Sequence, residues 1–196
     1  MPDELLNPIV FYKNRIYHIK VGEKGEYSHC FGGESLSEFK GQKFAPRKLH
    51  RLLTLDLSDP IFINIYKKLE RLELYYGFCY DSCELNYTIR NSMTIEVNSI
   101  EPNKSDDDWP YDCYPSSFEQ KYAVLSRPEE CKYNVFLDLI WQNFVDDYSD
   151  KMIIVVPPSN HYGVSLWGEM GDDEGVQVVF VVDTTSNTVQ AFNQCT

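Results

Sequence analysis

The stretch Val176-Gln-Val-Val-Phe-Val-Val182 is nearly all apolar, and the polar segment Asp183-Thr-Thr-Ser-Asn187 separates it from a second strand-like run, Thr188–Phe192. A continuous run of β-branched and aromatic residues is typical of a strand that is buried on both faces. The short polar side chains of residues 183–187 can bond the local backbone, which favours a hairpin turn. The sequence therefore predicts a hairpin here, with its first strand at the centre of a sheet.

Further runs of apolar or alternating residues predict strands elsewhere in the chain. They are Ile9–Tyr12, Ile16–Val21, Leu52–Leu57, Leu72–Phe78, Leu85–Ile89, Met93–Val97, Met152–Val156 and Val164–Trp167. The segments Leu52–Val97 and Met152–Phe192 share a layout of one apolar strand, an intervening segment and paired strands. This pattern predicts two related β-rich halves.

Helical spacing is clearest near residues 128–148. The apolar residues there recur at steps of three and four, the spacing of one helix face: Tyr133, Phe136, Leu137, Ile140, Trp141 and Phe144. Pro128 and the carboxylates of Glu129 and Glu130 suit a helix start. Residues 61–72 are ambiguous between a short helix and a strand. The expected fold class is thus α+β, with two β-rich halves packed into one body and an amphipathic helix near 128–148.

The net charge of the chain lies entirely in its second half. Residues 1–100 carry 13 Lys and Arg against 13 Asp and Glu, whereas residues 101–196 carry 5 against 17, which accounts for the net −12. Residues 101–115, rich in Pro and Asp, are expected to be a linker or loop between a neutral β-rich half and an acidic half within one compact domain. A one-sided negative field steers a basic partner and disfavours nucleic acid and anionic membranes.

Several short motifs appear in an order that resembles the YwqG-like family of bacterial proteins. They are Phe31-Gly-Gly33, Leu52–Leu57 followed by Pro60, Leu72–Phe78, Leu166-Trp-Gly168, the acidic turn Gly171–Gly175 with its apolar strand, and a Cys near residue 195. The resemblance implies two structurally related β-rich halves. It also implies a role as an immunity or accessory protein beside a bacterial toxin, and it supplies no enzyme activity.

No motif in the chain predicts catalysis, a metal site or a cofactor. Cys79 and Cys83 form the only close cysteine pair, and a structural zinc site would need a second pair. Ser165 departs from the spacing of a hydrolase nucleophile, and the four histidines are scattered along the chain. The N-terminal residues do not have the pattern of a signal peptide, so a cytoplasmic location with reduced cysteines is expected.

These observations predict a non-catalytic acidic protein, of immunity or inhibitor type, that masks a basic partner such as a bacterial toxin. The carboxylates expected to steer that partner are Asp106, Asp107, Asp108, Asp146, Asp147, Asp172, Asp173 and Glu174. The aromatic residues expected to anchor it are Trp109, Tyr111, Tyr148 and Trp167. The alternative is a small-molecule or metal-dependent pocket protein, and a cavity with inward-facing His and carboxylate groups would favour it.

Overall fold

The structure, a computed structural model, describes residues 7–41, 49–62, 69–78, 83–101, 116–140, 147–157, 166 and 176–195. The strands are β1 (Ile9–Tyr12), β2 (Arg15–Val21), β3 (Cys30–Phe31), β4 (Glu38–Gly41), β5 (His50–Asp56), β6 (Arg71–Tyr76), β7 (Glu84–Asn91), β8 (Thr94–Glu101), β9 (Lys121–Leu125), β10 (Glu129–Glu130), β11 (Met152–Val156), β12 (Val176–Asp183) and β13 (Thr188–Cys195). The helix α1 (Tyr133–Leu139) is the only one within these ranges.

The strands form one large mixed sheet, in the order β4-β8-β7-β13-β12-β11-β1-β2-β9-β3-β5-β6, with β10 added beside β2. The β4–β8 pair is parallel, and the other strand pairs that the structure describes are antiparallel. Strands from the second half of the chain lie between strands from the first half. The expected α+β fold with two β-rich halves is therefore wrong. The protein is mostly β, and strands from both halves of the chain belong to the same sheet.

The centre of the sheet is apolar on both faces. In β11, Met152, Ile154 and Val156 belong to the main core, whereas Ile153 and Val155 belong to a second, smaller core on the opposite face. β1 and β12 divide their residues in the same alternating way. Successive side chains of a strand point to opposite faces, so a strand that is apolar at every position needs cover on both. The prediction of a central strand buried on both faces is confirmed for residues 177–182.

The helix α1 covers the second face of these central strands. The ring of Phe136 stacks on that of Phe11, with centroids 4.4 Å apart, and Ile140 is buried beside it. Gln177 Nε2 donates a hydrogen bond of 3.1 Å to the carbonyl oxygen of Ile140, at the end of the helix. The apolar spacing of Phe136 and Ile140 thus predicted their burial correctly, while Phe144 lies outside the described residues.

The helix is much shorter than the predicted span of 128–148. Glu129 and Glu130 pair with Ile16 and Arg15 of β2, so this part of the chain is extended and a helix cannot begin at Pro128. The backbone of Lys132 is still extended, and the helix begins after it. The described residues that follow residue 146 are also non-helical. Pairing with β2 has outweighed local helix preference, a common outcome for short segments.

The far end of the sheet curls back over the main core. The backbone N–H of Tyr75 in β6 donates to the hydroxyl of Tyr87 in β7 at 3.1 Å, and that hydroxyl donates to the backbone oxygen of Glu73 at 3.2 Å. The ring of Tyr75 also meets that of Phe39 edge-on at 4.9 Å. Because β6 and β4 are the two end strands of the sheet order, these contacts close the sheet around the core.

Replacing Phe136 with Ala should lower the free energy of unfolding by about 3–5 kcal/mol, because it opens a cavity beneath α1. The matched control is Val135→Ala on the same helix, where the side chain is 50% exposed, and it should stay within about 0.5 kcal/mol of wild type. Urea unfolding of both variants provides the measurement. Equal midpoints for the two would show that α1 does not cover the second core.

Candidate functional site

A cavity of about 390 Å³ lies beside the start of β3, where β5 and β9 end. It is bounded by residues 25–29, which lead into β3, by residues 59–61, which follow β5, and by residues 124–128 around the end of β9. β3 pairs antiparallel with both β5 and β9. The start of β3 is therefore next to the ends of both neighbours, and this strand arrangement brings the three segments together.

A buried histidine–carboxylate pair lies in the wall of this cavity. His29 Nε2 donates a hydrogen bond of 3.0 Å to Asp59 Oδ2, and both residues are buried. The other ring nitrogen, Nδ1, accepts the backbone N–H of Asp56 at 3.0 Å. A nitrogen that accepts a hydrogen bond carries no proton, so the ring is the neutral Nε2–H tautomer. Both ring nitrogens are occupied, so His29 has no free nitrogen with which to take a proton from a substrate.

The turn after β5 holds Asp59 in place. Asp59 Oδ1 accepts a hydrogen bond of 2.9 Å from the backbone N–H of Ile61. The backbone oxygen of Asp59 accepts one of 2.8 Å from the backbone N–H of Phe62. This arrangement is typical of an Asp that begins a turn before a proline-containing segment. The carboxylate therefore points inward because the turn fixes it, and the imidazole of His29 meets it there.

Asp56 fixes the neighbouring segment in the same way. Its Oδ2 accepts the backbone N–H of Ser28 at 2.9 Å, and its Oδ1 accepts both the N–H and the hydroxyl of Ser58. Partial burial acts to raise the pKa of Asp56, but the hydrogen bonds from Ser58 and Ser28 outweigh it, so the pKa lies below its usual value. Asp56 thus remains ionised beside the cavity at neutral pH.

Tyr27 lines the mouth of the cavity, with its ring centroid 6.0 Å from that of His29. The pKa of its hydroxyl is raised, first by burial and then by the negative charges of Glu26, Asp59 and Asp56. Three carboxylates therefore act on one aromatic hydroxyl. All three carboxylates belong to the charge-neutral first half of the sequence.

A second polar cluster lies in the main core and is structural. Glu73 is 2% exposed; its Oε1 lies 2.7 Å from Arg71 Nε, and its Oε2 accepts the hydroxyls of Ser37 and Tyr75. Burial, followed by the charge and hydrogen bond of Glu73, raises the pKa of Tyr75 well above its usual range. The cluster joins β6 to the segment before β4, so its groups are used in closing the sheet.

Arg51 is a buried cation in the same region. Its Nε donates to the backbone oxygen of Gly32 at 2.9 Å and its Nη2 to Gln120 Oε1 at 3.2 Å. Among the described residues, no carboxylate oxygen lies within 4.0 Å of its guanidinium. Gly33 has a φ of +92°, and a Cβ there would lie 2.0 Å from Arg51 Nη2. The glycine is therefore needed both for its backbone conformation and for the space that the guanidinium fills.

Two of the predicted partner-binding residues fall within the described residues. Asp147 is exposed, and hydrogen bonds from the backbone and side chain of Ser149 lower its pKa, so it stays charged. Tyr148 is half-buried against the second core; its N–H donates to the Tyr133 hydroxyl at 3.1 Å and its own hydroxyl to Gln190 Oε1 at 3.4 Å. The others lie outside the described residues: Asp106, Asp107, Asp108, Trp109, Tyr111, Asp146, Trp167, Asp172, Asp173 and Glu174.

The residues of the cavity were missed from the sequence. His29 and Asp59 are 30 positions apart, and neither belongs to a recognisable motif. Only the pairing of β3 with β5, in which Cys30 is opposite Thr54, places them side by side. The turn signal at Asp59-Pro60 predicts a bend but does not indicate what the carboxylate contacts.

Comparison of the chain with models of known protein families, with curated proteins and with solved structures finds no match. The described part of the chain contains no group of three or more His, Cys, Asp or Glu residues placed to hold a metal ion. None of the helical residues described forms a segment long and apolar enough to cross a membrane.

Replacing Asp59 with Asn should destabilise the protein by about 1–3 kcal/mol, because one amide oxygen cannot accept hydrogen bonds from both His29 and Ile61 in the places where two oxygens now do. Asp138→Asn, on the exposed side of α1, is the control and should unfold at the same urea concentration as wild type. If Asp59→Asn also matched wild type, the histidine–carboxylate pair would not be holding the cavity wall.

Replacing Gly33 with Ala tests the packing of Arg51. Gly22 has nearly the same φ, +93°, but a Cβ there would meet nothing within 4 Å. Both alanines carry the backbone cost of a positive φ, so the difference between the variants reports the collision with the guanidinium. We expect Gly33→Ala to be less stable than Gly22→Ala by about 1–3 kcal/mol in urea unfolding. Equal stability would mean that the Arg51 side chain is not packed on Gly33.

Proposed function

We propose that this protein is a non-catalytic binding protein that recognises a basic partner through its acidic half. The observation that carries the proposal is the placement of the second half's carboxylates. Every described Asp or Glu after residue 100 is exposed except Asp183, which is half-buried beside Lys151. Exposed charges that exceed the local basic residues create a long-range field, and such a field raises the rate at which an oppositely charged protein associates.

Part of this surface surrounds α1. Glu129 and Glu130 of β10 precede the helix, Asp138 lies on it, and Asp147 and Asp150 follow it, all with exposed side chains. Of these, Asp150 is paired with Lys151 at 3.2 Å, and Glu129 lies 4.0 Å from His18. Asp138 lies in the last turn of α1, where a carboxylate opposes the helix dipole, and this small cost is consistent with a use for the charge outside the fold.

The resemblance to the YwqG-like family supports a more specific proposal. It suggests that the protein acts as an immunity or inhibitor protein that masks a basic partner such as a bacterial toxin, and that it does so in the cytoplasm. The occupied nitrogens of His29 support a binding role over acid–base catalysis by that residue, because general-base catalysis requires a nitrogen that is free to accept a proton.

The second candidate function is that of a small-molecule pocket protein, and the cavity beside β3 favours it. Its volume of about 390 Å³ lies within the usual range of ligand pockets, which is about 300–1,000 Å³. Its wall combines apolar side chains with His29 and Asp59, the combination expected of such a pocket. The two functions are compatible, since a pocket can receive one side chain of a protein partner.

The tagged protein is used to capture partners from the native cell. Its association rate with each basic protein recovered is then measured. Changing Asp106, Asp107 and Asp108 to Asn, or Asp172, Asp173 and Glu174 to their amides, should lower the association rate by about tenfold at low salt and affect dissociation little. The wild-type association rate should also fall as salt is added, because about 0.15 M salt already limits exposed charges to a range of about 8 Å.

The matched control changes three exposed carboxylates of the neutral half, Glu23, Glu34 and Glu70, to Gln. It removes the same total charge from a different part of the chain, so its association rate should stay within about threefold of wild type. An equal effect of the control and the acidic-half variants would indicate a response to net charge alone. Association rates that ignored both salt and the acidic-half variants would contradict the proposal.

A further inference from the structure

The charge balance of the cavity beside β3 is negative. Asp59 is 5% exposed, and its neighbour His29 is held as the neutral tautomer, so no described cation compensates this carboxylate. Each carboxylate oxygen accepts two hydrogen bonds at full capacity, and each oxygen of Asp59 accepts one from the described residues. A buried carboxylate of this kind is stabilised by a cation that enters the cavity beside it.

The other polar groups of the lining strengthen this preference. Glu26 lies exposed at the mouth, and the half-buried ring of Tyr27 is next to it. An aromatic ring face attracts a cation, most strongly where water is partly excluded. The opposing charge is Arg127, which is exposed at the rim, where solvent screens it more than it screens Asp59.

Apart from Ser126, whose hydroxyl is bonded to the backbone of His18 and Arg127, the remaining side chains of the lining are apolar: Pro60, Ile61, Val124, Leu125 and Pro128. A bare metal ion or a small hydrated cation gains nothing from such a wall, whereas an aliphatic stem loses unfavourable contact with water. We propose that this cavity binds an organic cation, namely an alkylammonium or guanidinium group on an apolar stem, with the cationic end toward Asp59 and Tyr27. This inference deepens the proposed function and rests on it, since it names the group that the binding protein recognises.

The same chemistry is available from two sources, a free amine and an Arg or Lys side chain of a basic partner. The test uses butylguanidinium, its neutral isostere butylurea, and a capped tetrapeptide with one Arg, each titrated into the ¹⁵N-labelled protein. We expect butylguanidinium to shift the amide signals of Tyr27, Ile61 and Leu125, and butylurea to leave them unchanged at the same concentration. Tighter binding of the peptide than of butylguanidinium would assign the site to a partner's side chain, and weaker binding would assign it to a free amine.

Charge variants at the rim give effects of opposite sign. Glu26→Lys should weaken butylguanidinium binding by about tenfold or more, whereas Arg127→Gln should strengthen it by about two- to fivefold. Glu23→Lys makes the same charge change as Glu26→Lys in the same exposed segment but away from the lining, and it should change the affinity by less than about twofold. Tyr27→Leu should weaken binding by about two- to thirtyfold, and Tyr27→Phe, which keeps the ring, should bind like wild type.

Equal binding of butylurea and butylguanidinium would overturn the inference, and so would equal effects of Glu26→Lys and Glu23→Lys. An absence of any amide shift with both cationic probes would overturn it as well. The outcome is separable from that of the proposed function. If a basic partner is captured and its association depends on the acidic half, but the probes do not bind, this inference alone fails. If the probes bind but no basic partner is found, the partner proposal fails and the cation site stands.

Discussion

The fold depends on three adjacent strands, β1, β11 and β12, that are apolar on both faces. Such strands are stable only if two separate layers of side chains cover them, since each face left in water would expose a row of β-branched residues. The curled remainder of the sheet covers one face and α1 covers the other. The stacking of Phe136 on Phe11 is therefore a direct consequence of the apolar residues at alternate positions of β1.

The closure of the sheet depends on polar contacts as well as apolar ones. Tyr87 receives the backbone N–H of Tyr75 and donates to the backbone of Glu73, while the carboxylate of Glu73 binds Arg71, Ser37 and Tyr75. In a low-dielectric interior, the ion pair of Arg71 with Glu73 favours this arrangement, because separating the two would leave a buried charge unpaired. Hydrogen bonds thus hold β6 against β7 and against the segment before β4, and the main core fills the space between them.

The cavity beside β3 shows how a site arises from this topology without a motif. Two strand pairings bring three loops together, and the turn at Asp59 directs a carboxylate inward to a histidine whose other nitrogen is already bonded to the backbone. The arrangement occupies both ring nitrogens of His29 and places the Asp59 carboxylate in the cavity wall. In the proposed function, the acidic surface of the second half acts at long range on the approach of a cationic partner. In the proposed cation site, Asp59 and Tyr27 act at short range on a group that is already in contact.

The sequence by itself determined most of the longer strands and the burial of the central ones, but it did not predict β3, β4, β9 or β10. The runs 9–12 and 152–156 match β1 and β11, and the turn predicted at 183–187 is found at 184–187. The spacing of Phe136 and Ile140 correctly predicted their burial. These features depend on local periodicity, which the sequence contains in full. Only the tertiary structure decided the sheet order, the extended conformation of Glu129 and Glu130 against β2, and the meeting of His29 with Asp59. Each of these depends on a pairing between distant segments, and local patterns do not specify which strand edges meet.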